Sequence, residues 1–282
     1  MKPFLSVVIP TCGRPSLLDE CLNRLHPRHQ SLSQSLYEVI VTDDSPDGST
    51  KELMRTHHPD IRWCKGPSRG PAANRNCGAA LASGSWLVFL DDDCIPSSDL
   101  LESYYRAVSS DSGTLVFEGR ISPHGKKTRV DQQAPINETG GCLWSCNFCI
   151  SREFFTQLRG FDENFPVASM EDIDLRERIL EIGEHIDFLH NASVLHPWLR
   201  KKGCDFIRSH AASLVYFCNK HGRQHQLGTT ARCRVMAHLL FNALVKEGWR
   251  YGWRGGIRFT ALSLYSVYSL RKAVRKHAIG CF

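Results

Sequence analysis

No stretch of this 282-residue sequence approaches the roughly 18 consecutive apolar residues of a membrane span. The longest uncharged run in the C-terminal segment, residues 259–270, is too short. Residues 1–10 carry one lysine and a brief apolar run ending in Pro10, with no small-residue cleavage site, so no signal peptide is read there. No Gly-x-Gly-x-x-Gly follows the first apolar run, which removes the dinucleotide-binding fingerprint. The stretch from Gly119 to Lys126 comes near a phosphate loop, but five residues separate Gly119 from Gly125 and no Ser or Thr follows Lys126. No nucleic-acid-binding motif is present, and nucleic acid is excluded as a partner. Acidic residues run out late: beyond residue 200 only Asp205 and Glu247 remain, so the net charge of +6 belongs mostly to the C-terminal segment. The twelve cysteines are scattered singly apart from Cys142, Cys146 and Cys149, and are read as reduced thiols of a cytoplasmic protein. The sequons Asn137-Glu138-Thr139 and Asn191-Ala192-Ser193 are then chance matches.

What is present is an ordinary globular composition, 42% hydrophobic and 23% charged, long enough for a sizeable core. The chain is organised around Trp86-Leu87-Val88-Phe89-Leu90, a buried strand by length and type, followed at once by Asp91-Asp92-Asp93. The carboxyl end of such a strand is where an open α/β sheet binds ligands. Adjacent carboxylates repel unless a cation compensates, and hard oxygen ligands on alternate residues suit Mg²⁺ or Mn²⁺. The other reading is a solvated acidic turn capping a helix that starts near Ser97-Ser98-Asp99.

Upstream, Leu5-Ser6-Val7-Val8-Ile9 and Tyr37-Glu38-Val39-Ile40-Val41 read as strands, and Ile61-Arg62-Trp63-Cys64 as a weaker one. Helices follow each: one with Ser16 as N-cap and an apolar face through Leu18, Cys21, Leu22 and Leu25, a second from Thr50, and a third over Ala72-Ala73-Asn74-Arg75-Asn76-Cys77-Gly78, small on one side for close packing on a sheet. Four strand–helix alternations predict an α/β fold, a parallel, doubly wound sheet with right-handed crossovers. Pro10-Thr11-Arg14, Asp43-Asp44 and Asp91-Asp93 would converge on one crevice, a nucleotide site in outline.

The series Ser6-Val7-Val8-Ile9-Pro10-Thr11, Val39-Ile40-Val41-Thr42-Asp43-Asp44-Ser45, Ala73-Asn74-Arg75-Asn76-Cys77-Gly78 and Phe89-Leu90-Asp91-Asp92-Asp93 resembles family-2 glycosyltransferases. The resemblance continues through Gly160-Phe161-Asp162-Glu163-Asn164-Phe165 and Glu171-Asp172-Ile173-Asp174-Leu175, covering roughly residues 4–200. It implies a GT-A-like, mostly parallel doubly wound sheet with helices on both faces, in a nucleotide-sugar-binding and catalytic domain over residues 1–200. It also implies inverting transfer of a sugar from a nucleoside diphosphate, a UDP-sugar by family frequency, to a hydroxyl acceptor on a glycan or lipid-linked chain, in polysaccharide or glycolipid synthesis. Carried over position by position, Pro10, Thr11 and Arg14 line the donor pocket, Asp43 or Asp44 reads the base, and Arg75 supports the donor. Asp91 and Asp93 match the metal motif with Asp92 between them on the donor side. Asp172, in the pair with Glu171, matches the catalytic base.

The residue types suit that chemistry independently: a carboxylate-held divalent metal neutralises a leaving diphosphate, and a carboxylate on the opposite face deprotonates the acceptor. An acidic pair just before a helix expected over residues 173–182, starting at Ile173, is also favoured by the helix dipole, and both roles can hold for Glu171-Asp172. His196, after the late strand Ala192-Ser193-Val194-Leu195, either completes the metal site or is a satisfied histidine. Trp198 either stacks on a sugar or packs. Cys142, Cys146 and Cys149 fit the iron–sulfur spacing of radical S-adenosylmethionine enzymes, Phe148 included, but lie mid-chain among transferase motifs. A radical enzyme on those thiols and a catalytically silent sugar-nucleotide binding protein are the alternative functions. Residues 201–282 read as a basic helical extension, with helices over residues 206–218 and 235–245 and the interleaved Trp249, Arg250, Tyr251, Trp253, Arg254, Arg258, Arg271, Lys272, Arg275 and Lys276. Apolar helices with that interleaving read as a membrane-surface element favouring anionic lipid, against an ordinary helical subdomain with a solvated basic face. The expected location is cytoplasmic, peripheral at the inner face of a membrane.

Overall fold

Period-two alternation decides which way each strand side chain faces. In the computed structural model, which describes residues 2–110, 113–165, 167–200, 203–227 and 256–279, β1 (Leu5–Thr11) sends Val7 and Ile9 into one buried cluster and Val8 into another. β4 (Trp86–Leu90) does the same with Val88 and Leu90 against Leu87 and Phe89. Both faces of the sheet are therefore apolar and need cover. One is covered by α1 (Pro15–Leu25), α2 (Ser49–His57) and α4 (Leu100–Ser109), through side chains such as Leu18, Leu22, Met54 and Tyr104. The other is covered by α3 (Pro71–Leu81), α5 (Arg152–Gln157) and α6 (Glu171–Glu181), through Ala72, Ala79, Phe154, Leu175 and Ile179.

The sheet has eight strands in the order β3 (Arg62–Lys65), β2 (Tyr37–Asp43), β1, β4, β8 (Asn147–Ser151), β6 (Val116–His124), β9 (Asp187–Pro197), β5 (Ile95–Pro96). β3, β2, β1 and β4 are mutually parallel, as the strand–helix alternation requires. Beyond β4 the sheet is mixed: β8 runs antiparallel to both β4 and β6, β9 is parallel to β6, and β5 is antiparallel to β9. The chain moves outward from β1 to β3 and returns to place β4 on the other side of β1. The crevice above the β1 and β4 carboxyl ends is thus the topological switch point, where sheets of this class bind ligands.

The small face of α3 is used fully: a Cβ on Gly78 would lie 2.5 Å from Val8 Cγ1 and 3.2 Å from Thr42 Cγ2. Two expected helix starts shift. Ser16 is not an N-cap, because α1 begins at Pro15 with Arg14 in the capping position and no side-chain cap bond; proline's fixed φ and missing N–H suit a first helical turn. α6 begins at Glu171, two residues before the expected Ile173, which puts the Glu-Asp pair inside its first turn.

The chain divides into two compact units, one of Met1–His124, Pro135–Asn164 and Glu171–Pro197 containing the eight-stranded sheet, and a second of Gly125–Ala134, Phe165–Met170 and Trp198–Phe282. Within the second, β7 (Gln132–Gln133) pairs with β10 (Leu199–Arg200), and α7 (Cys204–Lys220) packs with α8 (Gly256–Ile279). Phe165 meets the Tyr216 ring edge-on at 5.0 Å, and Asp131 binds both Arg129 and Arg258. Among the described residues no helix is long and apolar enough to cross a membrane. The helix expected over residues 235–245 and the residues Trp249, Arg250, Tyr251, Trp253 and Arg254 lie outside the described residues, as do the side chains of Arg275 and Lys276.

Candidate active site

After β4 the backbone turns, with the Cys94 N–H donating to the Asp91 carbonyl, so the three carboxylates point in different directions. Asp92 points inward and is fully buried: its Oδ2 accepts from Thr11 Oγ1 at 2.6 Å and from Arg14 Nε at 3.2 Å, and Arg14 pairs with its other oxygen. Burial pushes its carboxyl up to about 7 despite the opposing pull of Arg14 and Thr11. Thr11 and Arg14 therefore fasten the β1 loop to the β4 turn. Arg14 reaches on to Asp93 Oδ2 at 2.8 Å and stays 41% exposed on its side chain, available to the crevice.

Asp91 points to Arg75, whose side chain is 3% exposed and bridges two carboxylates: one nitrogen donates to Asp91 Oδ1 at 2.7 Å, another to Glu171 Oε1 at 2.9 Å. Its guanidinium also lies over the Phe161 ring at 5.6 Å. Asn76, next along α3, locks that ring's backbone by donating to the Phe161 carbonyl and accepting from the Phe161 N–H. Gly160 has φ +66°, and a Cβ there would lie 2.5 Å from Asn76 Oδ1, so only glycine fits the close approach. Burial would raise the Asp91 carboxyl, but Arg75 outweighs it and holds the group below the usual carboxylate range. Burial lowers Arg75 in turn, and its two carboxylate partners more than restore it.

Glu171 and Asp172, both buried, enter this centre from the first turn of α6. Burial and then the neighbouring Asp172 charge push Glu171 up to about 7. Burial raises Asp172 as well, against the pull of Arg75. Asp172 Oδ1 accepts the Ile173 N–H at 2.8 Å, and its Oδ2 has only a long contact, 3.4 Å, from the Ser145 N–H. Met170, just before the pair, has φ +78°, a conformation that costs a non-glycine residue of order 1–3 kcal/mol and clusters at functional sites.

His196 comes in from β9 and is 5% exposed. Its Nδ1 lies 2.9 Å from the Pro197 carbonyl and its Nε2 3.3 Å from Asp93 Oδ1. Nδ1 must donate to that carbonyl, which orients the ring so that Nε2 faces the buried Asp93 carboxylate. A carboxylate oxygen and an imidazole Nε2 this close can share a cation, and a backbone-anchored Nδ1 is how metal-ligating histidines are oriented. Burial, then Asp91, raises the Asp93 carboxyl. Cys94 Sγ joins the same group: its sulfur, an Asp93 oxygen and a His196 nitrogen lie within 4.8 Å of one another, the one such group among the described residues. The residues present fit a divalent cation.

The base-reading candidates sit at the same sheet edge. Asp43 pairs in register with Thr11, and the Asp44 N–H donates to the Thr11 carbonyl. Asp43 Oδ1 accepts the Ser45 N–H at 2.7 Å, and Asp44 Oδ1 accepts the Ser68 N–H at 2.8 Å, so each carboxylate keeps its second oxygen clear of these bonds. Pro10 is buried in β1. Trp198 is placed in the second unit, where its indole N–H donates to the Gly125 carbonyl. Cys142, Cys146 and Cys149 do not assemble: Cys146 and Cys149 are packed in the core, and the three thiols are not within metal-sharing distance. Two site residues escaped the sequence reading. Cys94 could have been found from its adjacency to Asp93. Asn74, buried with its amide on the Thr11 and Thr42 carbonyls, offered only its place beside Arg75.

The model described as glycosyl transferase family 2 matches residues 6–161. The glycosyltransferase AglE of Haloferax volcanii is 37% identical over 212 residues, 69% of this chain and 67% of that protein. The validoxylamine A glucosyltransferase of Streptomyces hygroscopicus subsp. limoneus is 26% identical over 63% of this chain, which spans about half (48%) of that protein. Among solved structures, the mannosyltransferase PcManGT from Pyrobaculum calidifontis, in complex with GDP-Man and Mn²⁺, superposes with a TM-score of 0.62 at 18% identity, covering 97% of this chain and 88% of that one. S. aureus TarS in complex with UDP-GlcNAc gives 0.56 at 15% identity, over 99% and 92%. These two likenesses are of fold. The chain belongs to glycosyl transferase family 2, and it is an enzyme of that family.

Proposed function

We propose that this enzyme transfers a sugar, with inversion, from a nucleoside-diphosphate donor to a hydroxyl acceptor, with the help of Mn²⁺ or Mg²⁺. The observation that carries the reading is Arg75, whose one guanidinium joins Asp91 of the β4 turn to Glu171 of α6. It sets the donor-side carboxylates and the candidate base beside each other across the crevice. Asp91 and Asp93 would hold the cation, with His196 as a third ligand; when bound, it supplies charge neutralisation at the leaving diphosphate. Arg14, half-open to solvent, faces the donor phosphates, where a guanidinium fits bidentately. Asp43 or Asp44 accepts from a base N–H, a uracil's by expectation. Asp92 keeps the turn in shape. Asp172 takes the proton of the acceptor hydroxyl as it attacks; a carboxyl raised toward neutrality by burial is suited to that work. One base and no covalent intermediate give inversion.

We propose that residues 1–200 carry donor binding and catalysis, and that residues 201–282 are a basic extension, helical over Cys204–Lys220 and Gly256–Ile279. On α8, Leu264 and Tyr268 are 52% and 59% exposed, close to exposed Arg271 and Lys272. That face supports a peripheral position on anionic lipid at the inner membrane face. A lipid-linked acceptor fits: a relative from Campylobacter jejuni, 33% identical over 96 residues, is named for a GalNAc(5)-diNAcBac-PP-undecaprenol acceptor.

The test is calorimetric binding of a nucleoside-diphosphate panel, UDP and GDP included, with and without Mn²⁺, to wild type, Asp93→Asn and Asp172→Asn. One nucleotide should need both the metal and Asp93, and should bind Asp172→Asn normally. The matching nucleotide sugar, hydrolysed slowly with water as acceptor, should release the inverted anomer, and Asp172→Asn should slow that release about 10²–10⁴-fold. Metal-independent nucleotide binding, or hydrolysis indifferent to Asp172, would sink the mechanism.

A further inference from the structure

We propose that Cys94 gives the metal centre a second, sulfur-containing ligand set, Asp93, Cys94 and His196, which takes thiophilic divalent cations of the zinc and cadmium class in place of the Asp91–Asp93 set. The inference rests on reading that centre as a metal site. The three candidate ligand atoms are mutually within 4.8 Å, and their residues are 5%, 1% and 5% exposed. Three protein ligands drawn from oxygen, sulfur and nitrogen, with a fourth position left for water or substrate, is the ligand count of open zinc sites. Magnesium and manganese favour all-oxygen shells, and thiolate ligands select zinc-like cations. Manganese also sits at the weak end of the divalent affinity order, with zinc well above it.

The site is prepared from outside as well. Pro197 fixes the imidazole so that Nε2 faces Asp93, 3.3 Å from its Oδ1. The Cys94 thiol makes a weak contact, 3.6 Å, to the Cys146 carbonyl and a second thiol hydrogen bond to the Cys146 side chain, both sulfur contacts of the weak kind. A cation arriving on the sulfur displaces the thiol proton to solvent and gives up only these weak sulfur contacts to Cys146. Asp91 lies outside this group because Arg75 holds its carboxylate at 2.7 Å. A cation on the sulfur set is therefore shifted away from Asp91, and it inhibits by competing with the productive metal.

The experiment uses the full chain and two probes. Co²⁺ is titrated while the near-ultraviolet sulfur-to-cobalt charge-transfer band is followed, and Cd²⁺ is competed against bound Mn²⁺ while free Mn²⁺ is read by electron paramagnetic resonance. Wild type should show the band at one equivalent, and Cys94→Ser and Cys94→Ala should both lose it. Cd²⁺ should displace Mn²⁺ from wild type. In either variant it should compete at least as poorly as the roughly 10–100-fold penalty for losing an outer partner of a metal ligand predicts, with Mn²⁺ affinity near the wild-type value. A band that survives in a folded variant belongs to other thiols, and together with an unchanged Cd²⁺-to-Mn²⁺ preference it overturns the proposal while leaving the Mn²⁺ site standing. Mn²⁺ failing to bind while a Cys94-dependent cobalt band forms would overturn the manganese reading instead. Binding of neither ion removes both. If the serine variant fails to fold, the alanine variant decides.

Discussion

Replacing Arg75 with methionine keeps an unbranched side chain and removes the guanidinium that lies over Phe161 and joins Asp91 to Glu171. The side chain is 3% exposed and its partner Glu171 2%, so on that side water does not take the guanidinium's place. Removing one partner of a buried pair costs about 3–5 kcal/mol, because the other charge is left behind. Here three carboxyls, Asp91, Glu171 and Asp172, lose their common counter-charge. We expect Arg75→Met to fall near the top of that range at pH 7.5, a large share of the ~5–15 kcal/mol that holds a domain folded. Urea denaturation at pH 7.5 and 5.5, with wild type beside it, measures the loss. The sign follows from the carboxyls. With Arg75 gone, burial and mutual repulsion raise their folded values above the unfolded ones, about 3.9–4.3. A raised folded value means stability that is full at low pH and lost as pH rises through it. The deficit should therefore be smaller at pH 5.5 than at 7.5. Adding Glu171→Gln should recover part of it, and Arg75→Lys, which reaches one carboxylate at a time, should fall between. A deficit under about 1 kcal/mol at pH 7.5, or one that does not change with pH, would refute the claim that this guanidinium neutralises the centre.

Much of this was readable from residues alone, for a physical reason. The parallel half of the sheet is built by local strand–helix alternation, and Trp86-Leu87-Val88-Phe89-Leu90 followed by charge reads as a buried strand ending at a ligand edge. The acidic turn does not cap the following helix; Asp99 takes that position. The mixed half was illegible, because whether β8 runs up or down beside β4 depends on how the chain returns, which no local pattern encodes. The contribution of Gly125–Ala134 and Phe165–Met170 to the second unit was hidden for the same reason. Within the site, Asp91, Asp92 and Asp93 look alike in sequence. The turn gives one to Arg75, one to Thr11 and Arg14, and one to His196, and only coordinates separate those fates.

Three further outcomes test the frame around the site. Glu118, 1% exposed, accepts from Asn137 Nδ2 and from the Gly141, Cys142 and Leu143 N–H groups, so Glu118→Gln should speed hydrogen exchange at residues 140–143, and unchanged protection there would count against that carboxylate as the loop's anchor. Gly78→Ala puts a Cβ 2.5 Å from Val8 Cγ1; overpacking of about 1–3 kcal/mol, less about 1 kcal/mol of helix propensity, should lower Tm, and a rise would mean that α3 sits farther from the sheet. Glu38 can be argued further. Its Oε1 takes the Ser6 hydroxyl at 2.6 Å and both the N–H and hydroxyl of Ser83, at 2.7 and 2.6 Å, tying β1 to β2 and to the end of α3. Burial would raise its carboxyl, but these donors outweigh it and hold the group below its usual range. A lowered folded value contributes stability above the unfolded value, lost as pH falls through the folded one. Glutamine keeps an acceptor in place and loses only the charge assistance, so Glu38→Gln should cost roughly 1–2 kcal/mol at pH 7. That gap should begin to narrow as pH falls below the unfolded value of about 4.3 and close once pH passes the lower folded value, where the wild-type carboxyl is itself protonated. Urea midpoints across pH 3–7 decide it, and a gap that stays constant down to pH 3 would show that the donors hold Glu38 by shape and not by charge.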